Sequence, residues 1–210
     1  MVIKQPFYEQ ENIKIYHGDC FDVLHSLENF DLLLTDPPYG INAARHRNSA
    51  NAGFKDYGSK EESNWDTERP AFELLEFAIE KCKTSIVWGG NYFPLSPQAK
   101  WLVWDKMQRN FSFADVELAW TNIEGAARCF SYSRAKVMQD GKFHPTQKPV
   151  ALMRWCISQT KIKNVVLDCF CGSGSTLVAA KLEGLSAVGI EKNERYCEIA
   201  ADRLRQGVLF

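Results

Sequence analysis

No stretch of the 210 residues approaches the roughly 18–20 consecutive apolar side chains that span a bilayer, and residues 1–6 lack a signal-peptide layout. The expectation is a cytoplasmic protein with no membrane partner. An excess of one charge is missing too: 25 Lys and Arg stand against 26 Asp and Glu, a net charge of −1, which excludes coating a polyanion by bulk attraction. Histidine is scarce, and His17, His25, His46 and His144 show no ligand spacing. The seven cysteines are odd in number, and Cys169 and Cys171 are spaced C-x-C, unlike paired zinc knuckles. They read as reduced core or loop residues, so no metal site is expected. Internal repeats, low-complexity tracts and dividing linkers are absent, and residues 1–210 are expected to form one domain.

What is present is an alternation of strand and helix patterns. Residues 13–17 alternate apolar and polar side chains and stop at Gly18-Asp19, residues 31–35 form a continuous apolar run, and Phe21, Leu24 and Leu27 between them have helical spacing. This predicts a parallel pair of strands that sets Asp19 and Asp36 side by side at the carboxyl edge. Phe72, Leu75, Ile79 and Cys82 predict a helix, followed by strands at 84–88 and 101–105. Residues 114–120 and 125–131 predict an antiparallel edge hairpin. A helix over 149–159, a strand at 165–168, a helix from about Thr176, a strand at 187–190 and a helix over 194–205 complete the chain. The fold class is α/β: a doubly wound, Rossmann-like, mostly parallel sheet with an antiparallel edge hairpin.

Two segments carry chemistry. Asp36-Pro37-Pro38-Tyr39 leaves the apolar run as a stiff turn, because each proline fixes φ and lacks an amide hydrogen. The Asp36 carboxylate and the Pro37 carbonyl then offer two acceptors for one planar NH2, beside the aromatic ring of Tyr39. Downstream, strand 165–168 ends in Asp168 and turns through Cys169-Phe170-Cys171-Gly172-Ser173-Gly174 into a helix, and the next strand ends in Glu191. Strand, glycine turn, helix, strand and acid form a nucleoside-binding unit, the acid suiting ribose hydroxyls. No third glycine follows Gly174 at dinucleotide spacing, and no Gly-Lys-Ser or Gly-Lys-Thr follows the turn, which argues against a dehydrogenase and an NTPase.

Two further segments lack a period. Residues 41–69 read as a long loop directly after the Asp36 turn, the position of a lid or binding segment. Between 128 and 148, Arg128, Arg134, Lys136, Lys142 and Lys148 face only Asp140, a cationic stretch suited to a phosphate backbone.

With Gly18-Asp19, the Asp-Pro-Pro-Tyr turn, His144-Pro145-Thr146-Gln147-Lys148-Pro149 and the Phe170-Cys171-Gly172-Ser173-Gly174 loop in this order, the chain resembles the DNA amino-methyltransferases that use S-adenosylmethionine. It is similar to the circularly permuted branch, in which the catalytic turn precedes the Phe-x-Gly-x-Gly loop. Gly89-Gly90-Asn91-Tyr92-Phe93 and Trp104-Asp105-Lys106 look like intermediate blocks of that branch. The resemblance implies methyl transfer to adenine N6 in DNA by base flipping, within a restriction–modification setting. It casts Asp36, Pro37, Pro38 and Tyr39 as catalytic. Asp19, Asp168, Phe170, Gly172, Gly174 and Glu191 would hold S-adenosylmethionine, with Asp19 near the adenine edge, Asp168 near the methionine amino group and Glu191 on the ribose. His144 and Lys148 receive no individual role. The alternatives are a cytosine-N4 enzyme and a non-catalytic nucleic-acid-binding module of the same fold. A separate large target-recognition domain is lacking, so 41–69 and 121–143 are the candidate DNA-contacting loops, and a homodimer or a specificity partner would supply any further recognition.

Overall fold

A computed structural model describes residues 5–41, 68–109, 114–133, 136, 147–162 and 164–206. Nine strands form one sheet: β1 (Tyr8–Gln10), β2 (Ile13–His17), β3 (Phe30–Thr35), β4 (Cys82–Trp88), β5 (Trp101–Asp105), β6 (Val116–Thr121), β7 (Arg128–Ser131), β8 (Val165–Asp168) and β9 (Ser186–Glu191). Their order across the sheet is β1-β2-β9-β8-β3-β4-β6-β5-β7. The helices are α1 (Cys20–Leu24), α2 (Phe72–Glu80), α3 (Val150–Ser158), α4 (Ser175–Leu182) and α5 (Glu194–Arg205). Among the described residues no helix is long and apolar enough to cross a membrane.

The central strands are apolar on both faces because both are covered. Leu32, Leu34, Ile86, Trp88 and Val166 point into a core shared with α3, α4 and α5. Their neighbours Leu33, Val87 and Leu167 point to the other side, against Val23 and Leu24 of α1 and Leu75 and Ala78 of α2. This two-residue alternation between two buried faces is why β3 reads as an unbroken hydrophobic run. From β3 the chain winds outward through α2 to β4, and from β8 it winds the other way through α4, on the opposite face, to β9. The adjacent strands β3 and β8 therefore flank the switch point, where a doubly wound sheet opens a crevice at its carboxyl edge.

The mostly parallel α/β sheet matches the sequence reading, with three corrections. Strands β2 and β3 are not neighbours, since β9 and β8 lie between them, so Asp19 and Asp36 stand apart. The crossover is right for a parallel sheet, but the late strands are inserted into the gap. Second, β6 and β7 do not pair with each other: β6 runs antiparallel between β4 and β5, and β7 lies parallel on the outer side of β5. The edge hairpin is instead β1 with β2, joined through Glu11, whose φ of 54° is left-handed. Third, α2 stops at Glu80 and Cys82 opens β4.

Candidate active site

Asp36 is the first residue beyond β3, and the parallel strands β3, β4, β8, β9 and β2 bring their carboxyl ends to one edge of the sheet. The turn is braced from β4. Gly89 has a φ of +65°, and a Cβ there would lie 2.0 Å from the Tyr39 ring, so only glycine lets Tyr39 pack down at this point. Tyr39 stacks on Tyr92 with ring centroids 5.0 Å apart, and its hydroxyl donates to Asp36 Oδ1 at 2.5 Å. Lys148 Nζ donates to Asp36 Oδ2 at 2.5 Å and to the Tyr39 hydroxyl at 3.2 Å.

Lys148 is only 5% exposed, and it also faces Glu117 Oε2 at 3.0 Å; Lys106 Nζ completes the set at 2.6 Å from Glu117 Oε1. Two lysines and two carboxylates from four separate segments thus meet in an electrically balanced chain. The antiparallel course of β6 is what delivers Glu117: its start, rather than its end, lies beside the carboxyl edge, opposite the end of β5 and Lys106. Burial pushes the Asp36 carboxyl above its ordinary range, the Lys148 ammonium pulls it down, and Glu117 pushes it up again. Burial opposes ionisation of Glu117 as well, but Lys148 and Lys106 outweigh it and bring this acid down to about 2. For Lys148, burial disfavours the ammonium, yet Asp36 and Glu117 raise it to about 12.

Across the switch point, Thr35 donates to Asp168 Oδ1 at 2.8 Å, tying the end of β3 to the end of β8. The Phe170 amide donates to the same oxygen at 3.1 Å. The following loop is strapped to β9 by Cys171 N donating to Ile190 O at 3.0 Å, and the Gly172 amide donates to Glu191 Oε2 at 2.9 Å. Gly174, at φ +81°, would bring a Cβ within 2.9 Å of Ala200, so the start of α4 packs directly on α5. By contrast, among the described residues nothing lies within 4 Å of a Cβ built on Gly172, which leaves open space above this part of the loop. Asp168 is 3% exposed. Burial drives its carboxyl up to about 6, against donation from Thr176, Thr35 and the Phe170 amide, all neutral groups. A ligand ammonium would give this acid the countercharge that neutral donors do not, and the methionine end of S-adenosylmethionine carries one. The open loop, Glu191 and Asp168 therefore fit that cofactor.

The raised Asp168 carboxyl has a consequence for stability. Below pH about 4 it is protonated in folded and unfolded chains alike, and its contribution is fully present. As pH rises to about 6 the unfolded chain gives up its proton first, and that contribution, about 2–3 kcal/mol for a shift of this size, is lost. Asp168→Asn should flatten this part of the curve. Urea unfolding of both proteins between pH 4 and 7 reads it as a wild-type stability that falls relative to the variant; parallel curves would contradict the assignment.

The structure brings Asp36, Tyr39 and Asp168 to the switch point, with Phe170, Gly172, Gly174 and Glu191 along the adjoining loop. Asp19 is not beside Asp36. It caps α1 by accepting from the Phe21 amide at 3.0 Å and lies 3.6 Å from Lys192, on the Glu191 side of the loop. Pro37 is buried, and Pro38 and Tyr39 are half-buried. Of the two candidate DNA loops, 42–67 and 134–143 apart from Lys136 lie outside the described residues, as do His144, Pro145 and Thr146. Lys148 does not belong to a phosphate-tracking stretch, because it is buried against Asp36 and Glu117. Its neighbour Gln147 accepts from Ser173 at 3.2 Å, which joins this segment to the glycine loop. Glu117 is absent from the sequence reading. Within Val116-Glu117-Leu118 it looks like the solvent side of an edge strand, and only the insertion of β6 beside β4 reveals otherwise.

Comparison with known proteins places this geometry among related chains. A family model described as DNA methylase, of the N6/N4 type, matches residues 87–202. The type II methyltransferase M2.LlaDCHI of Lactococcus lactis subsp. cremoris is 26% identical over 257 aligned positions, which take in 100% of this chain and 96% of that protein. The type II methyltransferase M2.DpnII of Streptococcus pneumoniae is 25% identical, covering 97% and 94% of the two chains. Among solved structures, the M1.HpyAVI–SAM complex superposes with a TM-score of 0.60 at 22% identity, over 91% of this chain and 99% of that one. The cytosine-N4-specific PvuII DNA methyltransferase gives 0.62 at 20% identity, over 99% and 91%.

Proposed function

The chain belongs to the N6/N4 DNA methylase family, and on that premise we propose that it transfers the methyl group of S-adenosylmethionine to the exocyclic N6 amino group of adenine in DNA. The observation that carries this reading is the placement of Asp36 at the switch point, bridged through Thr35 to Asp168 and the glycine loop. A nucleobase acceptor and a nucleoside cofactor would there share one crevice.

Asp168 would hold the cofactor's ammonium, Glu191 its ribose hydroxyls and Phe170, Gly172 and Gly174 its remaining surface, with Asp19 toward the adenine edge. S-adenosylmethionine supplies an electrophilic sulfonium methyl. Asp36 and the Pro37 carbonyl accept hydrogen bonds from the target NH2 and draw its lone pair out of conjugation with the ring. The methyl so supplied would leave sulfur for the target nitrogen, one S–C bond being exchanged for one N–C bond, and the nitrogen would release one proton to solvent. No covalent enzyme intermediate is needed: the site contributes orientation and a fixed electrostatic environment. Tyr39 stacks on a base flipped out of the duplex, since a stacked base cannot reach this crevice. The two prolines hold the turn in one shape, which keeps both acceptors in place without an induced change.

An acid at position 36 supports adenine, because the cytosine enzymes that this chain resembles often carry serine at the matching place. Target recognition would come from the short segments 41–69 and 121–143 or from a second subunit, and the companion activity would be a nuclease of the same restriction–modification pair.

The test is incubation with S-adenosylmethionine and unmethylated genomic DNA, digestion to nucleosides and mass spectrometry. N6-methyladenine is the expected product. N4-methylcytosine would keep the mechanism and change the base; neither product would overturn the reading and leave a DNA-binding module of this fold.

A further inference from the structure

Lys148 lies where no simple salt bridge would be expected to form. It is 5% exposed, its ammonium is 5.5 Å from the centre of the Tyr39 ring and 5.7 Å from that of Trp88, and it stands between two carboxylates. A buried ion pair of this kind seldom stabilises a fold more than apolar side chains of the same size would. Its value must then lie in what it does to its partners, one of which is the acid beside the transferred methyl.

We propose that Lys148 and Glu117 act together as positioning residues for methyl transfer, Lys148 fixing the Asp36 carboxylate in its ionised form and Glu117 limiting how much of that carboxylate's charge Lys148 takes up. This rests on the methyl-transfer reading above. The logic is one of opposed charges. Asp36 alone, in a buried crevice, would take up a proton and lose its strength as an acceptor for the target NH2. Asp36 with an unshared ammonium at 2.5 Å would remain ionised, but its lone pairs would be committed to that ammonium. Glu117 at 3.0 Å draws the same ammonium from the other side, and Lys106 at 2.6 Å holds Glu117 in place. The Tyr39 hydroxyl, donating to Oδ1, orients the remaining oxygen. Asp168, across the switch point, is a further carboxyl that the charge of Asp36 reaches and raises. Among the described residues, Glu117 on β6, Lys106 after β5, Lys148 before α3, Tyr39 in the same turn and Asp168 at the end of β8 are the charged and titratable groups set around Asp36.

This arrangement makes a prediction that a merely structural bridge does not. Lys148→Met removes a cation from Asp36 and Glu117→Gln removes an anion, so the two changes should move the titration of Asp36 in opposite directions. A charge within about 4–6 Å shifts a carboxyl by one pH unit or more. The direct readout is the carboxyl carbon resonance of Asp36 in protein labelled with ¹³C-aspartate, identified by its disappearance in Asp36→Asn. Against wild type, the midpoint should rise in Lys148→Met and fall in Glu117→Gln; the double variant should lie between them and keeps the comparison open if Lys148→Met folds poorly. The acid limb of the kcat profile should follow the same order, with KM for S-adenosylmethionine unchanged, and Lys148→Arg should recover part of the wild-type limb. Midpoints that move together or not at all would overturn the inference, as would midpoints that separate while the kcat limbs stay put. A wild-type protein that methylates no DNA, yet shows the separated midpoints, would sink the proposed function and leave the charge arrangement standing.

Discussion

Replacement of Asp36 by alanine should lower the rate of methyl transfer by about 10²–10³-fold, the scale on which a single preorganised electrostatic partner acts, while S-adenosylmethionine binds within about twofold of wild type. The separation follows from the layout of the edge. Asp36 touches Tyr39 and Lys148, whereas the candidate cofactor contacts come from Asp168, the loop at 170–174 and Glu191. The bridge between the two halves is the Thr35 hydroxyl, which belongs to β3 and remains in the variant. Lys148 would still be paired with Glu117, so the alanine protein should stay folded. Calorimetric titration with the cofactor and single-turnover transfer of a labelled methyl group to DNA measure the two quantities separately. Residual transfer within tenfold of wild type would remove Asp36 from the mechanism; lost cofactor binding would mean that the two halves are not independent.

Much of this site can be read from the sequence because its parts are local. An apolar run followed by two prolines can only leave a strand stiffly, and parallel strands carry whatever follows them to a shared edge. Asp36, Asp168 and Glu191 therefore stand along one edge of the sheet, as their positions just after β3 and at the ends of β8 and β9 suggest. The strands at Trp101–Asp105 and the helix at Glu194–Arg205 also follow directly from side-chain period. What local pattern does not encode is the order of strands across the sheet, which depends on pairings between distant segments. The three residues of β1 are too few to show a period, and the insertion of β8 and β9 between β2 and β3 leaves no mark on any of the four strands. Glu117 and Lys148 were hidden for the same reason. Lys148 is 112 residues from Asp36 in the chain, and in sequence it looks like one more cation in a basic stretch.

The second large effect concerns stability. At neutral pH, Lys148→Met should destabilise the protein by about 3 kcal/mol, the lower end of the cost of breaking a buried ion pair by removing one partner. The lower end applies because Asp36 and Glu117 each keep 23% of their side-chain surface accessible to water, which shares the burden of their charge. For a chain of this length that corresponds to a fall in Tm of roughly 6–12 °C. The loss should depend on pH in a defined direction. Without the ammonium, burial and Glu117 would hold the Asp36 carboxyl further above its unfolded value, so the variant gains stability as pH falls and this acid takes up a proton. The gap to wild type should therefore narrow between pH 7 and pH 5, whereas a loss of packing alone would leave it constant. Adding Glu117→Gln to Lys148→Met removes the anion left facing an unpaired Asp36 and should restore part of the stability, so that the two substitutions are not additive. Thermal unfolding of wild type, both single variants and the double variant at pH 5 and pH 7 measures the coupling. Additive losses that do not change with pH would show that Lys148 fills space beside Asp36 without governing its charge.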